Sequence, residues 1–245
     1  MAGSTPFVFV HGLFGALNDP AIFEQLTPAR CSAPDLIGYG AKTKSGAVTI
    51  AGQVRALEEH VDAQHPSRPV HLVAQSIGAV YALIYADMHP DRVASLTTVE
   101  GNFSLSDAFW SQSIAAMDGQ DAAASVNQRL GDPEGFLVGD GITPDRVLVE
   151  RARDALAYQP WETVWESARA IVAATGFDSY EHTLKRVFGR TAVYLVSGAR
   201  STNDWHVPAW AAAAASGSVI VAGVGHMMML EDPEGFGKAL ATLSI

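Results

Sequence analysis

Three short segments hold residue types that together could transfer an acyl group. The first is Val73-Ala74-Gln75-Ser76-Ile77-Gly78-Ala79, which follows an apolar run and precedes a helical pattern. A serine in such a sharp strand-to-helix turn projects its hydroxyl above the carboxyl end of a sheet. Neighbouring backbone passes close to that turn, so small residues are needed two before and two after it. Ala74 and Gly78 stand there, Ala74 in place of the more usual glycine. By itself a serine after a strand is more often a helix N-cap. The second segment is His11-Gly12-Leu13, directly after the first apolar run. Gly12 lets the chain turn so that the Leu13 N–H, with the Ile77 N–H, forms a two-donor hole for a developing oxyanion. The Phe14 N–H is the less favoured second donor, and His11 reads as structural, bonding within its own loop. The third segment, Gly223-Val224-Gly225-His226, puts an imidazole on a glycine-flanked loop after the last strand, where it can reach a serine from another strand. A surface loop histidine would be the ordinary reading; the order of the three segments, each after a strand, decides against it. His60, His65, His71, His89 and His206 read as surface or turn residues.

A base of this kind needs a carboxylate on its far ring nitrogen. Two candidates exist. Glu100 ends the run Thr97-Thr98-Val99, and a charge at the tip of an apolar strand is expensive to bury without a partner. Asp204 lies in the loop Ser201-Thr202-Asn203-Asp204-Trp205. Glu100 is preferred, with Asp204 the alternative acid.

The elements that must position these groups alternate strand with helix, the pattern of a parallel α/β sheet. Strands are expected at Phe7–Val10, Ala33–Leu36, Val70–Ala74, Ala94–Val99, Thr191–Val196 and Val219–Ala222. Helices follow the second strand (Ile50, Val54, Leu57 and Val61 at three- and four-residue steps, capped by Thr49), the third (Ile77–Met88) and the sixth (from Asp232-Pro233-Glu234). Residues 102–190 differ, with helical periodicity and many large aromatics, and read as a helical cap inserted between core pieces 1–101 and 191–245. Most of those aromatics are expected to form the cap's own core. Phe14, Phe103, Trp110, Trp161 and His182 are the candidates for lining a substrate pocket.

Composition removes other classes. Hydrophobic residues make up 48% and charged residues 17% of 245, so a large buried core is expected and disorder is not. The net charge is −10 and no Lys/Arg run exists to neutralise a phosphate backbone, which argues against nucleic acid as a partner. One cysteine, Cys31, excludes an intrachain disulfide and a cysteine-based zinc site. No apolar run is long enough to span a membrane, and the start MAGSTPFVFVHG lacks the basic and apolar regions of a secretory signal, so a cytoplasmic location is expected. Neither the GxGxxG fingerprint, the phosphate-loop motif nor His-Glu-x-x-His is present.

Taken with Pro34-Asp35-Leu36-Ile37-Gly38-Tyr39-Gly40 and Glu231-Asp232-Pro233-Glu234-Gly235-Phe236, the three segments resemble the α/β-hydrolase fold superfamily over nearly the whole chain apart from the cap. The resemblance implies a doubly wound parallel sheet, a Ser–His–acid triad and no cofactor or metal. Only five residues precede Pro6, so the two N-terminal strands of fuller members are expected to be missing, leaving six. Most members place the acid three residues past a glycine after the penultimate strand; here that position is Ser201. Placement of an acid at Glu100 resembles the haloalkane dehalogenase and lactonase-like branch. A serine nucleophile, however, excludes the alkyl-ester chemistry of dehalogenases and epoxide hydrolases. The expected activity is hydrolysis of a carboxylic ester or lactone of a small to medium apolar molecule through an acyl-enzyme. Alternatives are a carbon–carbon bond hydrolase, a thioesterase or acyltransferase, and a catalytically silent small-molecule binding member. The missing strands leave the second strand as a sheet edge that a second copy could cover.

Overall fold

The computed structural model describes residues 4–43 and 45–243; the extreme N-terminus, read above as free of a targeting signal, falls partly outside them. Its frame is a six-stranded parallel sheet in the order β2-β1-β3-β4-β5-β6. The strands are β1 (Phe7–Val10), β2 (Cys31–Ser32), β3 (Val70–Gln75), β4 (Val93–Val99), β5 (Ala192–Gly198) and β6 (Gly217–Val221). The second strand is thus not Ala33–Leu36 but two residues just before it. Leu36 is instead fully buried beneath the turn that carries Tyr39, so its hydrophobicity reflects loop packing and not pairing. A two-residue edge offers little backbone for another chain to pair with.

Helices flank both faces. In chain order they are α1 (Pro20–Glu24), α2 (Ile50–Gln64), α3 (Gly78–Met88), α4 (Phe109–Ala115), α5 (Gly119–Leu130), α6 (Pro133–Gly139), α7 (Arg146–Ala157), α8 (Trp161–Thr175), α9 (Asp178–Phe188), α10 (Ala209–Ala214), α11 (Met228–Glu231) and α12 (Pro233–Thr242). The strand sequences lack alternation because both faces are covered. Val8, Val10, Leu72 and Leu96 enter one core with α2 and α3, while Phe7, Phe9, Val73 and Val99 enter the other with residues of α12. Two helix starts follow their sequence signals: Thr49 accepts from the Gly52 N–H at 3.0 Å, and Asp232 from the Gly235 N–H at 2.9 Å. Among the described residues no helix is long and apolar enough to cross a membrane.

Helices α4 to α9 all lie between β4 and β5. This segment is anchored to the sheet at the tip of β4, where the Tyr180 hydroxyl donates to the Asn102 carbonyl at 2.7 Å. It is anchored to the loop after β2 by Thr163, whose hydroxyl donates to the Gly38 carbonyl at 2.9 Å. Gly38 has φ 90°, and a Cβ there would fall 2.6 Å from the Thr163 hydroxyl, so only glycine allows this approach.

Candidate active site

Parallel pairing brings the carboxyl ends of all the central strands to one edge of the sheet. Gln75 on β3 is in register with Val99 on β4, and Val99 with Val196 on β5. The residues one step beyond, Ser76 and Glu100, leave the sheet with φ 52° and φ 43°. Left-handed backbone is disfavoured for side chains with a Cβ, and the surrounding fold must impose it. Here ladder bonds continue past the strands and do so: the Ser76 N–H donates to the Val99 carbonyl at 3.0 Å, and the Glu100 N–H to the Val196 carbonyl at 3.0 Å. The turn at Ser76 also needs Gly78, where a Cβ would lie 2.3 Å from the His11 carbonyl oxygen and 2.7 Å from that of Val10. Ala74 is fully buried in β3, and the turn accepts its methyl group.

Glu100 is 6% exposed and fully engaged. Its Oε2 accepts from His226 Nδ1 at 2.7 Å; its Oε1 accepts from the Gly198 N–H at 2.8 Å and from the Ser201 hydroxyl at 2.5 Å. Ser201, the position at which the resemblance leads one to look for an acid, instead donates its hydroxyl to Glu100. Asp204 sits exposed on the rim of the same cleft, and the imidazole's carboxylate partner is Glu100. Burial pushes the Glu100 carboxyl up, but His226, Ser201 and the Gly198 amide outweigh it and hold it below the usual glutamate value. Burial alone would lower the His226 pKa; the hydrogen bond and charge of Glu100, with the charge of Asp140, outweigh that and raise it above 6.5. Both directions favour an imidazolium–carboxylate pair.

With Nδ1–H given to Glu100, the lone pair of His226 lies on Nε2. It accepts from the Gln75 side-chain amide at 3.0 Å. Gln75 is 4% exposed, and its Oε1 lies where a Gly12 Cβ would stand, 1.9 Å from that position; Ser76 Cβ is 3.1 Å from it. Gly12 thus makes room for both side chains. The loop after β1 is held by the Tyr39 hydroxyl, which donates to the Leu13 carbonyl at 3.3 Å, and by Gln159, which accepts from the Gly15 N–H at 3.0 Å. The Leu13 and Ile77 N–H groups donate to no acceptor among the described residues, and both residues line the cleft. His11 is buried, bonded through Nδ1 to the Gly12 carbonyl at 2.9 Å and packed on Tyr39; burial lowers its pKa to about 4, so it is neutral.

Ser76, Glu100 and His226 all border a cleft of about 610 Å³ closed by α4, α5 and α6. Phe14 and Trp110 line it, as the sequence suggested. Three other candidates do not. Phe103 is buried in the core, stacked on Trp205 at 5.7 Å; Trp161 packs beside Trp165 at 6.0 Å; His182 is on the exposed side of α9. Aromatic character marked them, but aromatics fill cores as readily as pockets. The sequence reading missed Gln75, Ser201, Arg129 and Asp140. Gln75 and Ser201 carried a positional signal, one beside the serine and one in the usual acid slot. Arg129 and Asp140 carried none, because only folding of the inserted helices brings them to the cleft.

Known proteins agree with this architecture. The sequence model of the alpha/beta hydrolase family matches residues 7–239. The dihydrolipoyllysine-residue acetyltransferase component of the acetoin cleaving system of Pseudomonas putida is 29% identical over 95% of this chain, which spans 61% of that protein's length. Among solved structures, haloalkane dehalogenase DbeA of Bradyrhizobium elkani superposes with TM-score 0.74 at 19% identity, covering 98% of this chain and 90% of the other. A carboxylesterase structure from the thaumarchaeon Nitrososphaera gargenis gives TM-score 0.71 at 17% identity, covering 97% and 89%. Strand order, the turn at Ser76 and a family match running from the first strand into the last helix converge: the chain belongs to the alpha/beta hydrolase family.

Proposed function

We propose that this protein is a serine hydrolase that cleaves a carboxylic ester or lactone through an acyl-enzyme, with Ser76 as nucleophile, His226 as base and Glu100 as the acid. The observation that carries the reading is the 2.7 Å bond between His226 Nδ1 and Glu100, which leaves the lone pair on Nε2 of a residue lining the same cleft as Ser76. In the free protein that lone pair is held by Gln75. As substrate seats, the Ser76 hydroxyl takes the place of the Gln75 amide, and His226 accepts its proton while Oγ attacks the carbonyl carbon. The imidazolium is stabilised by Glu100, the oxyanion by the free N–H groups of Leu13 and Ile77, each worth about 3 kcal/mol in the transition state. His226 then returns the proton to the leaving alcohol. Water repeats the sequence and releases the acid.

A fluorophosphonate probe tests the nucleophile. Labelling of folded protein at Ser76, lost in Ser76→Ala, is the expected result; folded protein that does not label refutes the reading and favours a silent binding role. A panel of chromogenic esters, lactones and activated diketones, run on wild type and Ser76→Ala, then separates ester or lactone hydrolysis from carbon–carbon cleavage.

A further inference from the structure

The cleft contains a cation that pairs with no carboxylate among the described residues. Arg129, in the last turn of α5, lies over three rings: 4.8 Å from the centroid of Trp110, 5.4 Å from Phe136 and 5.8 Å from Phe14. The rings brace one another edge to face, Phe14 lying 5.2 Å from Trp110 and 5.5 Å from Phe136. Stacking occupies the face of a guanidinium and leaves the N–H groups on its rim to find acceptors. They find none among the described residues: Nε is buried without a hydrogen bond, and no carboxylate forms an ion pair with the group. A partly buried, unpaired charge costs free energy, and a chain that only needed to fill this space would do better with an apolar side chain. The cleft's acids do not answer the charge. Glu100 is committed to His226, Ser201 and Gly198. Asp107 accepts the amides of Phe103, Ser104 and His206. Asp204 is exposed on the rim. Asp140 is close enough to feel the charge of Arg129 but forms neither an ion pair nor a hydrogen bond with it, and its Oδ2 is buried without a partner.

All four members of this cage line the cleft that Ser76 and His226 border. We infer that Arg129 is a specificity-determining residue that receives a carboxylate on the substrate, so that the preferred substrates are half-esters of dicarboxylic acids and not the purely apolar esters expected from the sequence. The inference rests on the hydrolase reading above. Contact with three rings holds the guanidinium in the cleft, and its planar rim suits the two oxygens of a carboxylate.

The test compares p-nitrophenyl hydrogen glutarate with p-nitrophenyl hexanoate, which has an ethyl group where the first has a carboxylate. Wild type is expected to favour the glutarate by at least tenfold in kcat/KM, chiefly through KM. Arg129→Met, which keeps much of the stem, lowers that preference ratio at least tenfold, and Arg129→Lys lowers it less. Equal kcat/KM for the two esters in wild type, or an unchanged ratio in Arg129→Met, overturns the inference. The wild-type comparison stands even if a variant misfolds. Binding supplies a readout independent of turnover: calorimetry on Ser76→Ala with monomethyl glutarate is expected to show an affinity that Arg129→Met abolishes in the double variant. Undiminished affinity in the double variant counts against Arg129. Turnover surviving in Ser76→Ala counts instead against the serine mechanism, and the calorimetry still reads the subsite.

Discussion

Glu100→Gln changes one atom in kind and almost nothing in shape, yet the hydrogen-bond pattern predicts a large loss. The carboxylate accepts three bonds, from the Gly198 N–H and Ser201 hydroxyl on one oxygen and from His226 on the other. An amide offers one oxygen and one NH2 group. Gly198 is a fixed donor that cannot turn, so the amide oxygen must face it. The NH2 group then faces His226 Nδ1, which can accept only if the ring proton moves to Nε2. That tautomer has no lone pair for Ser76. A wrong tautomer of this kind lowers turnover by about 10⁴, or about 5 kcal/mol of transition-state stabilisation. Asp204→Asn is expected to change turnover less than threefold, since Asp204 is exposed and the imidazole is already served. The assay is kcat/KM on a p-nitrophenyl ester, with circular dichroism to establish that both variants are folded. A Glu100→Gln protein retaining more than a tenth of wild-type activity, or a larger loss in Asp204→Asn, would refute the tautomer argument.

Three further outcomes follow from the same geometry. The acid limb of the pH profile of kcat/KM should lie above pH 6.5, because the neutral imidazole is the base and Glu100 raises the pKa of His226; an acid limb below 6.5 contradicts that pairing. Gln75→Leu removes a donor that stabilises the neutral imidazole, so the limb should move further up by less than one unit, the scale of a single neutral hydrogen bond; titration of kcat/KM against pH reads the direction. Gly78→Ala drives a methyl group against the carbonyls of Val10 and His11, and urea denaturation should show a loss of about 1–3 kcal/mol or failure to fold, because backbone on both sides cannot give way.

The sheet and the candidate site were legible for different reasons. Unbroken apolar runs such as Phe7–Val10 mark strands buried on both faces, and the glycines beside Ser76 and His226 mark turns that only small residues allow. Glu100 was legible because a charge closing the run Leu96 to Val99 conflicts with its surroundings unless something pairs with it. Edges were read less well. Ala33–Leu36 was hydrophobic enough for a strand, yet Leu36 packs under a loop while the actual pairing uses Cys31 and Ser32. In the inserted segment, periodicity identifies helices but not their relative rotation. Phe103 and Trp110 look alike in sequence, and only the path of the chain sends one into the core and the other to the cleft. Arg129 was invisible for the same reason: its three rings come from a loop after β1 and from α4 and α6.

The position of Glu100 has a consequence for how this scaffold can diversify. The proposed nucleophile and acid ride on adjacent strands, so their spacing is a property of the sheet's register. The stretch 199–208 is bonded to Glu100 through the Ser201 hydroxyl and, in the proposed mechanism, supplies no carboxylate. It is thereby released from the most exacting geometric duty in the fold. On that reading, changes at the exposed Asn203 and Asp204 remodel the rim of the cleft while the Glu100–His226 pairing stays anchored in the β-ladder.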